Sequence, residues 1–456
     1  MNSANIDNTV VRSKGLVKAR LSRDDIIMRG GMIVIALYLV ISLVFPLYSM
    51  FSKSFSTFQY DLSKFEVQVS DDAGQFSPEI TSLQNLNEGL KAIPDDELST
   101  GSGGRLGVTI FFPDFSFRSP VMYRIRNVDG QGRFLVGSTL MTGTDWQELD
   151  SNTFRRVQLR PVRSTGLSNF INYFSTPALF KSIQNSIFIA IISTIITVIL
   201  AFWFAYALNR SCMRFKGFFR LIAMAPILVP SLLPGIALVY LFGAQGVIKG
   251  LLFGASIYGP IGIIIGSVFF TFPHAFLIIS TALAISDARL YEAAISLKAS
   301  PWKTFWTVTI PGARYGIISA AFVVFNLVIT DFGLPKVIGG QFNVLAVDIY
   351  KQVIGQQNFE MGAVVSVVLI IPAILAFAID RVVQSKQVAL LTARSVPFNP
   401  KPSSRADLIF TIYCGLVGLF IIGMLGICQF AALIKFWPYD LSLSLNNYQF
   451  DKMDGG

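Results

Sequence analysis

The chain has 456 residues, of which 53% are hydrophobic and only 14% are charged, whereas soluble domains carry about 25% charged residues. Its mean hydropathy of +0.58 excludes a purely soluble protein and indicates an integral membrane protein. The net charge of +10 does not indicate nucleic-acid binding, because the excess positive charge lies in short loops between apolar stretches.

Seven apolar stretches reach or approach the roughly 20 residues that a helix needs to cross a bilayer. They are residues 30–52, 182–209, 221–248, 250–286, 315–330, 361–379 and 408–434. The first is longer than the apolar core of a secretory signal and is followed by no small-residue cleavage site, so we predict a retained anchor. The fifth is expected to extend past Asp331.

Basic residues concentrate in the N-terminal tail and in the loops at 209–220, 287–314 and 381–407. The positive-inside rule places these segments in the cytoplasm. We therefore predict a multi-pass protein of the bacterial inner membrane with a cytoplasmic N-terminus. The three cysteines are expected to be small apolar packing residues with no disulfide between them.

These features divide the chain into seven segments. They are a basic cytoplasmic tail (1–29), a first transmembrane helix (30–52), an extracytoplasmic insertion (53–180), a main transmembrane domain (181–383), a cytoplasmic linker (384–407), a last transmembrane helix (408–434) and an extracytoplasmic approach segment (435–456). The expected fold class is an all-α polytopic membrane protein with a small extracytoplasmic α+β insertion.

The insertion mixes helical and strand patterns. Residues 80–93 have a helical pattern, residues 99–105 form a flexible turn, and residues 107–112, 121–137 and 154–162 have strand-like patterns. The alternation in residues 121–126, followed by the letters DGQG, predicts a β-hairpin there. The role of this domain does not follow from its residues.

A short similarity links the segment before the second predicted span to the segment after the seventh. Leu167–Phe170 and Leu445–Tyr448 both read Leu-x-Asn-aromatic, and each follows a predicted transmembrane helix after an intervening segment. One interpretation is that the last helix opens a second copy of the transmembrane unit, and the other is chance.

Two features inside the apolar stretches stand out. The third stretch holds four helix-disturbing residues, which predict a broken helix: Pro226, Pro230, Pro234 and Gly235. Such a break is either a packing kink or part of a transport pathway. Asp331 either reaches water at the membrane boundary or lines a cavity. His274, the only histidine, is expected to be a packed or hydrogen-bonded residue.

The loop at 287–314 places apolar residues at spacings of three and four, interrupted by Ser300 and Pro301. This pattern predicts two short amphipathic helices, the second beginning at Pro301 and ending at Pro311. Such helices either lie on lipid headgroups or present their apolar face to a groove in a partner protein.

The stretch EAAISLKASPWKTFWTVTIPGA within this loop resembles the EAA loop of permease subunits of binding-protein-dependent ABC importers. Glu292, Ala293 and Ala294 match the start of that pattern, and Val308, Ile310 and Pro311 match its end. Lys298 stands where the pattern has a glycine, which puts the turn geometry in question because glycine permits backbone angles that lysine disfavours. The similarity covers roughly residues 180–382.

The resemblance implies the type I ABC importer permease fold and a coupling role for the loop, which in that family docks in a groove of a cytoplasmic ABC ATPase dimer. The residues that would carry this role are Glu292, Ala293, Ala294, Leu297, Lys298, Pro301, Trp302, Ile310 and Pro311, with Glu292 as the main charged contact. The candidate pathway residues are Pro226, Pro230, Pro234, Gly235 and Asp331.

The chain itself is expected to be a transport subunit and not an enzyme. It contains no Gly-x4-Gly-Lys-Ser/Thr motif, so ATP and Mg are expected on the partner ATPase, with no cofactor or metal in this chain. The other expected partners are an extracytoplasmic solute-binding protein, the lipid bilayer, and a second permease unit or a second copy of this chain.

The stretch FGLPKVIGGQFNVLAVDIYKQVIGQQNF resembles the branch of this family that includes ferric-iron and 2-aminoethylphosphonate importers. We expect 2-aminoethylphosphonate as the substrate, with ferric iron as the alternative. Two other classes remain open. One is an ion-driven secondary transporter, for which only Asp331 and His274 are candidate buried ionisable groups. The other is a membrane scaffold whose insertion binds a partner.

Overall fold

The computed structural model describes residues 23–59, short stretches between 65 and 159, and residues 162–390, 398–400 and 402–449. The chain forms two compact units, Met1–Ser52 and Lys53–Gly456. The first holds α1 (Arg23–Leu39), a π-helical turn (Val40–Val44) and most of α2 (Phe45–Ser54). Most of the predicted basic tail lies outside the described residues.

The described part of the insertion is built of strands. They are β1 (Ser56–Gln59), β2 (Phe65–Val69), β3 (Thr81–Ser82), β4 (Val108–Thr109), β5 (Met122–Asn127), β6 (Phe134–Val136), β7 (Thr139–Met141), β8 (Gln147–Asp150), β9 (Val157–Leu159) and β10 (Val162–Thr165). Two four-stranded sheets have the orders β3-β2-β5-β8 and β4-β9-β6-β7, and β1 pairs with β10.

The predicted hairpin across residues 121–137 is wrong, because β5 and β6 belong to different sheets. Strand β5 pairs antiparallel with β2, which places Arg126 opposite Glu66 and Arg124 opposite Gln68. The Arg126 Nε donates to Glu66 Oε2 at 2.7 Å, and such cross-strand charge pairs favour this register. In the predicted helix at 80–93, Thr81 and Ser82 form β3 instead, and residues 83–93 lie outside the described ones.

The rest of the second unit is mostly helical. Its helices are α3 (Ser168–Ser175), α4 (Pro177–Arg210), α5 (Lys216–Met224), α6 (Leu232–Phe242), α7 (Pro260–Ile285), α8 (Ala288–Ser296), α9 (Pro301–Thr304), α10 (Ile310–Ile329), α11 (Gly333–Ile338), α12 (Leu345–Tyr350), α13 (Phe359–Leu390) and α14 (Ser404–Leu433). A final hairpin joins β11 (Ile434–Phe436) to β12 (Asp440–Leu443).

Within the described residues, six helices are long and apolar enough to cross a membrane, or seven if the bent pair α5 and α6 counts as one span. The predicted fold class of a polytopic helical membrane protein with a small β-containing insertion is confirmed. Two boundaries differ from the prediction. The fourth span begins at Pro260, after Gly259 at φ +101. The fifth ends at Ile329 and therefore does not extend past Asp331.

The centre of the bundle is the contact of α4 with α7. The Phe204 ring meets the rings of Phe272 and Phe276 edge to face, with centroids 5.4 Å apart in both pairs. Edge-to-face aromatic pairs stabilise beyond the area that they bury. Helix α10 approaches α7 closely at Gly316, where an added Cβ would collide with the Ala282 methyl group. Small residues at such crossings let membrane helices pack backbone to backbone.

The last helix, α14, packs against the same bundle. Its Gly418 lies against Ile222 and Phe219 of α5, and the Tyr413 hydroxyl donates to the Leu200 carbonyl of α4 at 2.8 Å. Its buried residues Ile421 and Met424 belong to the main hydrophobic core.

Three hydrogen bonds join the two chain segments between which the insertion lies. The Asn169 side-chain amide donates to the carbonyls of Ser54 at 3.3 Å and of Ser56 at 2.8 Å. The Gly166 amide donates to the Phe55 carbonyl at 2.9 Å. This network ties the end of α2 and the start of β1 to the chain that enters α3.

The same network recurs after α14. The Asn447 side-chain amide donates to the carbonyls of Ala432 at 3.2 Å and of Ile434 at 2.9 Å, and the Ser444 amide donates to the Leu433 carbonyl at 2.7 Å. The donors have the same spacing in both networks, Gly166 and Asn169 in one and Ser444 and Asn447 in the other. The acceptors are three consecutive residues in each, 54–56 and 432–434. The short sequence similarity between Leu167–Phe170 and Leu445–Tyr448 is therefore accompanied by a repeated structure. In the first copy, the insertion stands where the second copy has the turn between β11 and β12.

Candidate functional site

The first arm of the loop is α8, which begins at a capped N-terminus. The Asp287 carboxylate accepts from the Arg289 amide at 3.1 Å, as expected of an N-cap aspartate. Tyr291 and Ala294 are buried on the inner face of α8, whereas Glu292 and Ala293 are exposed. Only Ala293 of the predicted alanine pair therefore lies on the outer face.

The turn between the two arms has a left-handed residue at its centre. The EAA pattern has a glycine at this position, whereas this chain has a lysine. Lys298 lies at φ +55, in the left-handed region. The Lys298 amide donates to the Ile295 carbonyl at 2.9 Å, and the Ala299 amide donates to the Ala294 carbonyl at 3.0 Å. These two bonds make a Schellman motif, which satisfies the last carbonyls of α8. The substitution for glycine therefore keeps the turn and adds backbone strain.

The second arm begins as predicted and ends differently. The Ser300 hydroxyl accepts from the Lys303 amide at 3.2 Å, and Pro301 takes the first helical position. The helix does not end at Pro311 but runs without a break from Pro301 to Ile329. A π-helical turn, Phe305–Thr309, shifts the hydrogen-bond register directly before the proline, which has no N–H to donate.

The two arms present an exposed apolar surface, here called the loop face. Leu297 is 82% exposed and Trp302 is 67% exposed. The other large apolar residues of the loop face are Leu290, Ile295 and Trp306. Of the remaining predicted residues, Ile310 packs against the core and Pro311 is exposed at the start of α10. The loop face thus combines bulky apolar side chains with the Glu292 carboxylate.

The loop face is supported from beneath. Phe305 is buried, and its ring is parallel to that of Trp203 on α4, with centroids 5.5 Å apart. The Tyr291 hydroxyl and the Thr309 Oγ1 lie 3.1 Å apart within hydrogen-bond distance, which joins the two arms. These contacts connect the two arms to each other and connect Phe305 to α4.

The predicted break in the third span is present. The segment Lys216–Leu228 and helix α6 meet at 106°. Pro226 and Pro234 are buried, whereas Pro230 is exposed at the bend. Gly235 is buried against α11, where an added Cβ would lie 3.1 Å from the Val337 Cβ. The broken-helix prediction from these residues is confirmed.

Asp331 lies at this break. Its Oδ1 accepts from the Gly333 amide at 3.2 Å and its Oδ2 from the Leu334 amide at 3.4 Å, at the start of α11. Burial raises the pKa of the Asp331 carboxyl, and hydrogen bonds from the Ser231 hydroxyl and from these two amides oppose that rise. The structure therefore brings Asp331 together with the bend, in a capping role that neither sequence interpretation included.

Two buried carboxylates, Asp380 and Asp348, were not predicted from the sequence. Asp380 on α13 accepts from the Ser319 hydroxyl at 2.6 Å and from the Gln384 amide at 2.8 Å, which links α10 to α13. Its place next to Arg381, at the edge of an apolar stretch, made it look like an ordinary loop residue.

The second is Asp348 on α12, a single carboxylate inside an apolar run. Burial raises the pKa of its carboxyl, and a hydrogen bond from Ser182 and the charge of Lys351 oppose that rise. Among the described residues, no donor reaches its Oδ2. Burial also raises the pKa of Tyr173, as does the nearby Asp348 charge.

In the described part of the chain, no group of three or more His, Cys, Asp or Glu side chains is placed to hold a metal ion. The exposed apolar residues make the loop face the candidate site, and the bend near Asp331 is a second feature.

Residues 211–388 match the family described as "Binding-protein-dependent transport system inner membrane component". The match begins after α4 and includes the bend, the loop and the helices α10 and α13. This segment of the chain is therefore similar to that family of inner-membrane components.

Individual relatives are distant. The chain is 25% identical over 279 residues to the ferric transport system permease protein FbpB of Actinobacillus pleuropneumoniae, a match that covers 59% of this chain and 40% of that protein. It is 29% identical over 180 residues to the molybdenum transport system permease protein ModB of Azotobacter vinelandii, covering 38% of this chain and 80% of that protein. The chain thus spans less than half the length of that ferric transport relative.

A solved structure of a bacterial alginate ABC transporter, in complex with an alginate pentasaccharide-bound periplasmic protein, is similar with a TM-score of 0.40 and 17% identity. That similarity covers 51% of this chain and 85% of the other.

Proposed function

We propose that this chain is the permease subunit of an ATP-driven importer and that the loop face docks in a separate ATPase. The observation that carries the proposal is the loop face itself. Leu297 and Trp302 are among the exposed large apolar residues, on a turn that hydrogen bonds and stacked rings hold in place. A fixed, exposed apolar face on two short helices suits a groove in a partner protein.

The surroundings of the loop support a partner more than a lipid surface. The loop exposes the basic residues Arg289, Lys298 and Lys303, as an interfacial helix does. It also exposes the Glu292 carboxylate, near Leu290 and Ile295 in the sequence of α8. An acidic group on this face suits a basic groove and is disfavoured at anionic lipid headgroups. The family match of the segment around the loop supports the same partner.

The proposal is tested by replacing Leu297 with aspartate in the full chain and measuring co-purification of the ATPase. We expect Leu297→Asp to lose the ATPase while the chain still inserts in the membrane, because the variant places a charge at the most exposed apolar residue of the loop face. The matched control is Phe253→Asp, at a residue that is 94% exposed near the other end of α7. Equal ATPase recovery in both variants would contradict the proposal.

For the substrate we propose ferric iron before 2-aminoethylphosphonate. The support is a relative that is named as a ferric transport permease, whereas 2-aminoethylphosphonate rests on overall sequence likeness. Uptake of radiolabelled ferric citrate and of 2-aminoethylphosphonate is compared in a deletion strain carrying the wild-type chain. Uptake that survives ATP depletion and is abolished by an uncoupler would instead favour an ion-driven transporter.

We further propose that α14 and the hairpin after it open a second copy of the permease unit. The support is the hydrogen-bond network that Asn169 and Asn447 form at matching positions. The backbone conformations of Leu167 and Leu445, which lie between the donors of each network, are alike. Leu167 has φ −97 and ψ 4, and Leu445 has φ −98 and ψ 11. A complete second unit, or a second copy of this chain, would then form the other half of the pathway.

A further inference from the structure

Phe398 lies in the linker between α13 and α14. The residues Phe398–Pro400, Pro402 and Ser403, which lead into α14, are here called the strap. Phe398 is half-buried, and its ring centroid lies 4.7 Å from that of Tyr291 on α8. The strap therefore touches the inner face of the loop, on the side away from the loop face.

Arg210 joins these two rings to the bundle. Its guanidinium carbon lies 4.9 Å from the Tyr291 ring centroid and 4.5 Å from that of Phe398. The same guanidinium donates to the Leu283 carbonyl at 2.8 Å and to the Ser286 hydroxyl at 2.5 Å, at the end of α7. A planar cation that stacks on rings and also donates to backbone fixes several elements at once.

The other end of the strap is held as well. The Asp407 carboxylate accepts from the Cys212 amide at 2.8 Å and from the Ser403 amide at 3.1 Å. The Cys212 thiol donates to the Pro400 carbonyl at 3.3 Å. The strap is thus bound both to the segment after α4 and to the first turn of α14.

We propose that Phe398 is a positioning residue that makes the coupling loop and α14 move as one body. The inference rests on the proposed function, because the motion in question is the one that an ATPase would impose on the loop face. Through Tyr291, Arg210 and Phe398, a displacement of α8 is passed to the strap and from there to α14, whose Gly418 packs on α5. Within the described residues, the loop is thereby connected to a helix that the sequence interpretation left separate from it.

The test is a distance measurement in the full chain, purified with its ATPase in lipid nanodiscs. Spin labels are attached to genetically encoded residues at Ser296 and Arg405, so that Cys212 keeps its contact. We expect one narrow distance distribution that is the same in the nucleotide-free state and in the state trapped with ATP and vanadate. In Phe398→Leu, which keeps an apolar side chain but loses the ring, we expect the distribution to broaden and to differ between the states.

Transport provides the second readout. We expect Phe398→Leu to lower the substrate moved per ATP hydrolysed by about fivefold or more, with ATPase recruitment unchanged. Phe398→Trp, which restores a ring, is expected to recover coupling, and Asn399→Ala, at the exposed neighbour, is expected to behave as wild type. Recovery by tryptophan but not by leucine separates stacking on Arg210 from simple packing.

The outcomes are distinguishable. A wild-type distance that changes on trapping, or a Phe398→Leu variant with wild-type distances and coupling, overturns the inference and leaves the proposed function standing. A Phe398→Leu variant that no longer recruits the ATPase also overturns it, because the strap would then act in docking. A wild-type chain that recruits no ATPase overturns both proposals.

Discussion

Replacing Lys298 with glycine should stabilise the turn between α8 and α9. Lys298 lies at φ +55, a conformation that costs a residue with a Cβ about 1–2 kcal/mol. Glycine avoids this cost but loses about 0.5–1 kcal/mol more conformational freedom on folding. The midpoints of these two ranges differ by about 0.75 kcal/mol in favour of Lys298→Gly, which corresponds to about a threefold change in the opening equilibrium.

Hydrogen exchange at the Ala299 amide measures this opening directly, because that amide donates to the Ala294 carbonyl across the turn. We expect exchange about threefold slower in Lys298→Gly. Lys298→Ala serves as the control, since it removes the charge, keeps the Cβ and should exchange at about the wild-type rate. Lys298→Val should exchange faster, because a β-branched residue tolerates this conformation least. Faster exchange in Lys298→Gly than in Lys298→Val would refute the backbone argument.

Three further predictions follow from the described contacts. Replacing residues 60–161 with the three-residue turn Trp437–Tyr439 should leave a membrane-inserted protein that elutes as a single monodisperse peak, because the repeated network joins the two strands without the insertion. Ser319→Ala should lower the free energy of unfolding in mixed micelles by about 2 kcal/mol, because it removes a donor from the buried Asp380 carboxylate. Asp348→Asn should flatten the pH dependence of the melting temperature. The raised pKa of Asp348 means that its contribution is present below its ordinary value of 3.8 and is lost as the pH rises through the folded value.

Each has a control and a contradicting outcome. Aggregation of the shortened chain would show that the insertion holds the fold together. Ser385→Ala removes an exposed hydroxyl on the same helix as Asp380 and should cost little, so equal losses in the two serine variants would count against the buried contact. A wild-type melting curve that rises with pH relative to Asp348→Asn would reverse the sign of the Asp348 argument.

The sequence predicted the parts of the site that depend on local chemistry. Pro301 after a capping serine starts a helix whatever surrounds it, and the prolines at 226–234 break one. The predicted helix end at Pro311 was wrong, because a π-helical turn shifts the backbone hydrogen bonds and lets the helix continue. That turn depends on the packing of Phe305 against Trp203.

The misses involve partners that are distant in the chain. The hairpin prediction for β5 and β6 followed from local alternation, whereas β5 pairs with β2, which lies some 60 residues earlier. Asp348 meets Ser182 only when α12 folds onto α4, and Phe398 meets Tyr291 only through the return of the chain after α13. The hydrophobic periodicity of one segment does not predict contacts with residues that are distant in the chain.

Photocrosslinking from Leu297 in living cells tests the central claim most directly. A photoreactive residue at this exposed position of the loop face should form a covalent adduct with an ATP-binding subunit, and the adduct should disappear when the same residue is placed at Phe253. An adduct with a periplasmic protein, or none with an ATPase while uptake proceeds, would contradict the account.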